Sequence, residues 1–533
     1  MSSDKNMSKL IKSLTNNNNR WSTLRYNGPM FPESYKKLPE SVKVKYNNRT
    51  VKLNNRNTNN PFNISEEEAI FLYAQKYESD NFQVLQAKKY KREHIKNDRK
   101  FNDNFFEDFK KILGKDHVIQ DFSKLDFSEI LRYLQKNRIK SPKRKNLQKD
   151  QEVKIFGYVV INNLAKIPCN YYIQPPAIYL GHGNNVYRGR IKKRIRPEDI
   201  TINCSRHYPK CFVNGVKSSW NQVITDPDSS WLASWNHPIT GETTYLRLKR
   251  SSDPWVYVED YNKFEKAREL NKNISNIRRK YERDLKSSNS KFRELALAVY
   301  FLDKISIRPG GIEDESIGTQ GLTTLKANNF CIRDDEVTVK FVGKSSIDYD
   351  RTVKFKKSAL NVLKELLSNR NLIFPNTTPT ILNNYLRSLM DGLTSKVFRT
   401  WKASSTLLLE LSDYEFDEDD NLEYKKLIFE QSNIYVAREL NHKKMTTNMD
   451  MVKKIEEKIK KCDKHSLQQV KLLIKKNEYE ENLSLNTSKT NYIDPRIIVA
   501  WCKSNEVPIK CIISKNLLDR FEWAMDTPSN FQW

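Results

Sequence analysis

The feature that most constrains this chain is a change of hydrophobic period near residue 250. From Val153 to Leu248 the apolar residues come in short β-type runs cut by Gly, Pro and Asn, whereas from about residue 253 they recur at helical spacing. Strands and helices segregated along a chain in this way imply an α+β protein, and 533 residues are too many for one core, so several domains are expected. On the helical side, Phe292, Leu295, Val299 and Leu302 follow Ser290 as a cap, and the pattern stops before Pro309. Glu336 to Phe355 alternates on both sides of a Gly-containing turn, which predicts a β-hairpin with Lys344 at its tip. Val452, Ile455 and Ile459, then Leu467, Val470 and Ile474, predict a helical hairpin broken near Cys462 to His465. No repeat of the solenoid kind is present.

Residues 1–20 are polar and Asn-rich, the composition of a disordered tail, so order is expected from Trp21. Ser65 to Arg99 reads as a helix, with a capping box between Ser65 and Glu68 and a staple from Ile64 to Ala69. A second helical, basic stretch runs from Asn104 to Lys149.

Charge narrows the partners. Lys and Arg number 93 against 65 acidic residues, a formal net charge of +28, with aromatics at 11% interleaved among the charges. That combination predicts a folded basic surface and a polyanionic partner, nucleic acid first. The densest run is Arg190 to Arg196, where Arg190, Lys192, Lys193 and Arg194 are candidate phosphate-backbone contacts. No apolar run approaches the roughly 20 residues of a membrane helix, and the first residues lack the apolar core of a secretory signal. Seven scattered cysteines imply a reducing compartment. Cys204, His207 and Cys211 have no fourth ligand nearby at a zinc-module spacing, so they read as free side chains, and no metal site is expected.

Near the C-terminal end, TSKTNYIDPR spans Thr487 to Arg496. Asp494 is a good N-cap and Pro495 a good first helical residue for the apolar run Ile497 to Trp501, so Tyr492 falls in the turn before a helix start. Unpaired N–H groups and a positive dipole end there suit a phosphate.

The wording SK-x-NY-x-DPR-x-x-VAWC resembles the nucleophile segment of eukaryotic-type DNA topoisomerase I, the type IB family. Four further segments match in order, SIRPG, FVGKSSI, GLTSKVFRT and LNHKK. RPEDI-x-INCS, WLASW and a GP-x-F-x-x-x-Y phrase ahead of LPE also resemble this family. Singly, Arg308 could be a surface charge, Lys344 a turn lysine, Arg399 an ion-pair partner and His442 a core histidine; the ordered set with Tyr492 is what carries the resemblance.

The resemblance implies a mixed N-terminal cap over 21–252, a mainly helical catalytic domain over 253–445, a short helical-hairpin linker over 446–482 and a C-terminal helical segment over 483–533, closing as a clamp on duplex DNA. It implies Tyr492 as nucleophile, Arg308 and Arg399 on the non-bridging oxygens, His442 as a third donor and Lys344 as the acid for the 5′ oxygen. Lys396, Asn491 and His182 are further implied DNA contacts. The reaction implied uses no cofactor, ATP or metal, and the chain has no Walker A loop. A monomer acting on double-stranded DNA with little sequence preference is expected. So is a nuclear location if the source is a eukaryotic cell, or a viral factory or virion if it is a virus.

Alternatives are a site-specific tyrosine recombinase, disfavoured because Lys396-x-x-Arg399 stands where recombinases carry His-x-x-Arg, and a catalytically silent DNA clamp. Departures from the family pattern are Pro309-Gly310-Gly311 after the first arginine and Trp401-Lys402 after the second. Others are His182 in place of an Arg-rich loop and Ser345 where an Asp normally follows the lysine; these last two predict weak binding of planar camptothecin-type poisons.

Overall fold

In the computed structural model, the described residues are 20–54, 57–82, 95–137, 146–162, 165–181, 185–205, 211–213, 216–250, 253–311, 318–369, 371–417, 420–444, 449–464 and 466–533. The fold is mixed α+β, and the chain divides into two compact units, one ending at Trp255 and one beginning at Val256.

The first unit holds helices Glu66–Phe82, Arg99–Leu113, Ser128–Lys136 and Asn146–Phe156, with short strands before, between and after them. Ser65 caps the first helix, its Oγ accepting from the Glu68 amide at 3.1 Å. The Glu68 carboxylate does not close the box; it takes the Arg194 guanidinium at 2.6 Å. The single helix expected from Ser65 to Arg99 is not one element. Asp98 caps a new helix by accepting from the Phe101 amide at 2.9 Å, and a short polar acceptor there restarts the hydrogen-bond ladder. The second expected stretch likewise splits, because Leu125–Asp126 leaves helical geometry to pair with Val44–Tyr46. Tyr73, Phe101, Phe105 and Phe109 fill the core between these helices. Downstream, a four-stranded sheet runs in the order Gln222–Ile224, Thr201–Asn203, Trp231–Asn236, Thr243–Arg247, its first pair parallel and the others antiparallel. Ile202, Leu232 and Leu246 bury against Trp21 and Tyr26 in this unit's second core.

The second unit opens within the first turn of α1 (Pro254–Asp284) and continues with α2 (Ser290–Ile305). Asn289, not Ser290, caps α2, accepting from the Lys291 amide at 2.9 Å. Phe292, in the first turn, is 47% exposed, whereas Leu297, Phe301 and Leu302, further along the helix, are buried. The predicted hairpin forms as β2 (Glu336–Gly343) and β3 (Ile347–Lys354), with β1 (Phe330–Arg333) adding a third antiparallel strand. Then come α3 (Lys357–Asn369), α4 (Pro379–Leu389), α5 (Ser395–Ser412) and α6 (Leu422–Glu439). The helical hairpin is α7 (Met449–Ile459) and α8 (Leu467–Glu480), whose Val452, Ile455 and Ile474 are buried as their spacing predicts. The chain finishes with α9 (Leu485–Asn491), α10 (Pro495–Ser504) and α11 (Lys515–Arg520).

Candidate active site

Four of the five expected reactive groups meet where α5, the ends of α2 and α6, and the α9–α10 turn come together. Tyr492 is the residue after α9, its amide donating to the Ser488 carbonyl at 2.9 Å, and α10 begins three residues later. As expected, Asp494 caps α10 with Pro495 in its first turn, accepting from the Arg496 amide at 3.0 Å. This aspartate is fully buried and also accepts from the Arg496 guanidinium at 2.7 Å and the Trp533 indole at 3.1 Å. Ser404, on α5, accepts from the Asp494 amide at 3.0 Å and so ties the tyrosine segment to the helix that carries Arg399.

Arg399 is 5% exposed. Its guanidinium donates to the carbonyls of Ser306 and, at 3.0 Å, Leu440, and Nη2 also lies 3.2 Å from His442 Nε2. Its Cζ stands 5.0 Å from the centre of the Tyr492 ring. Among the described residues, Arg399 Nε has no hydrogen-bond partner although it is buried. A buried guanidinium donor left open is costly unless an anion completes it.

His442 follows the end of α6, where its amide donates to the Ala437 carbonyl at 2.8 Å. Its ring is 3% exposed, 4.9 Å between centres from the Tyr492 ring, with Nδ1 2.8 Å from Ser488 Oγ. Burial, then the charges of Arg399 and Arg308, push its pKa down to about 3, so the ring is neutral at pH 7. A guanidinium can only donate, so Nε2 accepts from Arg399 and the ring proton sits on Nδ1, facing Ser488.

Arg308 leaves the C-terminal end of α2 through Ser306, in left-handed geometry. Its carbonyl accepts from the Leu322 amide at 2.9 Å. The Pro309-Gly310-Gly311 departure has a steric reason at Gly310, which sits at φ +70° with its Cα against Gly321; a Cβ there would stand 2.6 Å from the Gly321 Cα. Burial alone would raise the Tyr492 pKa. Arg399 and then Arg308 outweigh it, and the phenol is held below its ordinary value.

Lys344 stands apart. It lies at the exposed hairpin tip, in the tight turn that joins Gly343 to Ile347 with Ser345 at φ +63° and Ser346 at φ +55°. No contact among the described residues joins it to the other four. The arm that carries it is nonetheless anchored beside them. Tyr349 donates to the Ile305 carbonyl at 2.9 Å, Arg351 pairs with Glu439 at the end of α6, and Asn441 donates to the Asp348 carbonyl at 3.3 Å.

Comparison with known proteins gives matches over nearly the whole chain. Residues 19–248 match the model of the eukaryotic DNA topoisomerase I DNA-binding fragment, 251–473 that of its catalytic core, and 464–533 that of the C-terminal topoisomerase domain. DNA topoisomerase 1 of Homo sapiens is 31% identical over 571 residues, 95% of this chain and 71% of that protein. The chain belongs to the eukaryotic DNA topoisomerase I family. DNA topoisomerase 1 of Caenorhabditis elegans is 33% identical with 67% of its length covered. DNA topoisomerase 1 beta of Arabidopsis thaliana is 31% identical across 99% of this chain, which spans 61% of that protein's length.

The second departure from the topoisomerase I pattern is also accommodated. The Trp401 indole donates to Asn271 at 2.9 Å, and Lys402 pairs with Glu439 at 3.1 Å. Among the expected DNA contacts in this unit, Lys396 and Asn491 are exposed. In the first unit, Arg190 pairs with Asp108 and Glu107 at 2.9 Å, Lys193 with Asp199 at 2.7 Å and Arg194 with Glu68 at 2.6 Å, while Lys192 reaches Gln174. The run is therefore partly neutralised by its own carboxylates. His182 and His207 lie outside the described residues. No helix among the described residues is long and apolar enough to cross a membrane.

Sequence reasoning missed Ser488 and Ser404, which orient His442 and the tyrosine turn. Ser488 had a signal, being four residues before Tyr492 in the same motif, one helical turn away.

Proposed function

We propose that this chain is a type IB DNA topoisomerase that relaxes supercoiled duplex DNA through a transient single-strand break. The observation that carries the proposal is the buried guanidinium of Arg399 beside Tyr492, with an open Nε donor and a charge that, with Arg308, favours the phenolate. Tyr492 Oη, its proton lost to solvent and its phenolate favoured by the two arginines, attacks a backbone phosphorus and displaces the 5′ oxygen. Arg308 and Arg399 neutralise the non-bridging oxygens as negative charge builds in the crowded transition state. Arg399 Nη2 is engaged by the Leu440 carbonyl and His442, so the open Nε is the donor left for an incoming phosphate oxygen. Lys344, on its anchored arm, protonates the departing 5′ oxygen. The product is a 3′-phosphotyrosyl bond and a 5′ hydroxyl. Because the covalent bond keeps the energy of the phosphodiester, the 5′ hydroxyl can reverse the step after the downstream duplex has turned.

All five reactive groups come from one chain, which supports action as a monomer. A net charge of +28 supports binding to the DNA backbone with little sequence preference, and the eukaryotic relatives support a nuclear setting where the source is a eukaryotic cell. The test is relaxation of a negatively supercoiled plasmid in EDTA without ATP, beside Tyr492→Phe. Wild-type relaxation, and a variant that binds duplex but neither relaxes it nor becomes covalently attached, is the expected result; a relaxing Tyr492→Phe variant refutes the assignment.

A further inference from the structure

A buried charge cluster packs against the two residues that precede Tyr492. Asp260 of α1 is 2% exposed and Arg520, at the end of α11, is 5% exposed. The two form a bidentate pair, Arg520 Nε to Oδ2 at 2.8 Å and Nη2 to Oδ1 at 3.0 Å. The remaining arm, Nη1, donates to the Thr490 carbonyl at 2.8 Å. Lys263, one turn along α1, bridges Asp260 at 3.1 Å and donates to the Asn491 carbonyl at 3.3 Å. Two cationic donors therefore hold the carbonyls of the two residues that immediately precede Tyr492.

The placement has a chemical logic. Thr490 and Asn491 end the seven-residue α9, whose last carbonyls have no helical partner. Cations suit that end. Burial alone would raise the Asp260 carboxyl, yet Arg520 and Lys263 outweigh it and hold it below its ordinary value, so the pair is ionised in neutral solution. A planar guanidinium gripped along its Nε–Nη2 edge by a carboxylate is held in one orientation, and its remaining Nη1 arm becomes a fixed point for the backbone.

We propose that Arg520, locked by Asp260 and assisted by Lys263, is a positioning residue for the nucleophile: it fixes the backbone from which Tyr492 projects. It touches no reacting atom. Its effect falls on the rate of the chemical step, since attack needs the phenol oxygen held within a fraction of an ångström, and a misplacement of about 1 Å can cost on the order of 100-fold.

This inference rests on Tyr492 being the nucleophile, so the experiment separates the two claims. Single-turnover cleavage of a nicked suicide duplex is followed as covalent complex for wild type, Arg520→Met and Arg520→Lys. Duplex affinity and amide hydrogen exchange are measured on the same preparations. Failure of wild type to form the complex overturns the nucleophile assignment itself. With wild type active, the expected result is a cleavage rate roughly 10- to 100-fold lower in Arg520→Met, partial recovery in Arg520→Lys, and affinity within about 2-fold. Exchange should quicken at the Tyr492 and Ile493 amides, which donate to Ser488, and stay unchanged in α2 and α5. Arg520→Met cleaving within about 2-fold of wild type overturns the proposal. So does a loss of rate accompanied by loosened exchange throughout the unit, which marks a structural role only. Should Arg520→Met not fold, Asp260→Asn, which keeps the shape and one acceptor, is read against the same criteria.

Discussion

Lowering the pH should destabilise this protein through His442, by an amount that can be worked from its surroundings. The ring is neutral in the folded state, with its pKa pushed to about 3 by burial and by the charges of Arg399 and Arg308. In the unfolded chain it titrates near 6.5. Between those values the unfolded state binds a proton that the folded state refuses, so stability rises with pH in this window and is lost as pH falls below about 6.5. The slope is about 1.4 kcal/mol per pH unit, and at pH 5 the accumulated loss is about 2 kcal/mol. His442→Gln removes the titrating group and leaves every other carboxylate and histidine in place. The stability difference between wild type and His442→Gln should therefore shift by about 2 kcal/mol, against wild type, between pH 8 and pH 5. Urea denaturation at several pH values, analysed with a common m value, measures the shift. Nitrogen-15 spectra of labelled protein should at the same time show a neutral ring with its proton on Nδ1. Parallel pH profiles for the two proteins, or a His442 that titrates above pH 6, would refute the reasoning.

Three other outcomes follow from the same structure. Lys344→Ala should slow cleavage of an ordinary strand far more than cleavage of a strand with a 5′-thiolate leaving group, which needs no proton; equal losses remove Lys344 from the acid role. Gly310→Ala should cost about 2–5 kcal/mol, combining left-handed strain with overpacking against the Gly321 backbone, and should lower cleavage by displacing Arg308; thermal unfolding within about 1 kcal/mol of wild type contradicts the close approach. Duplex affinity should fall steeply with added salt because of the +28 charge, while Lys192→Ala should reduce the slope by about 1 if that lysine meets a phosphate; a flat salt titration rules out phosphate-dominated binding.

Much of the site was legible as ordered residue types within short motifs. Local chemistry sufficed for Asp494 and Pro495 at the start of α10, for the Lys344 hairpin and for the α7–α8 pair, since caps, turn glycines and apolar spacing act over a few residues. The same local reasoning failed where a competing hydrogen-bond partner, near in sequence or brought in by the fold, took over. Asp98 restarted a helix inside an apparently continuous pattern, Asn289 displaced Ser290 as a cap, and Glu68 left its capping box for Arg194.

What the sequence by itself determined was the identity and order of the reactive groups, because each requires a particular side-chain chemistry written at one position. Only the tertiary structure decided their state. The neutral His442 with its proton toward Ser488, the phenol of Tyr492 held down against its own burial, and the pairing of Arg190 and Arg194 with carboxylates all arise from partners 40 to more than 180 residues away, such as Ser488 for His442 and Arg308 for Tyr492. Charge strength and proton position depend on distance and desolvation, quantities that a linear string of residues does not contain.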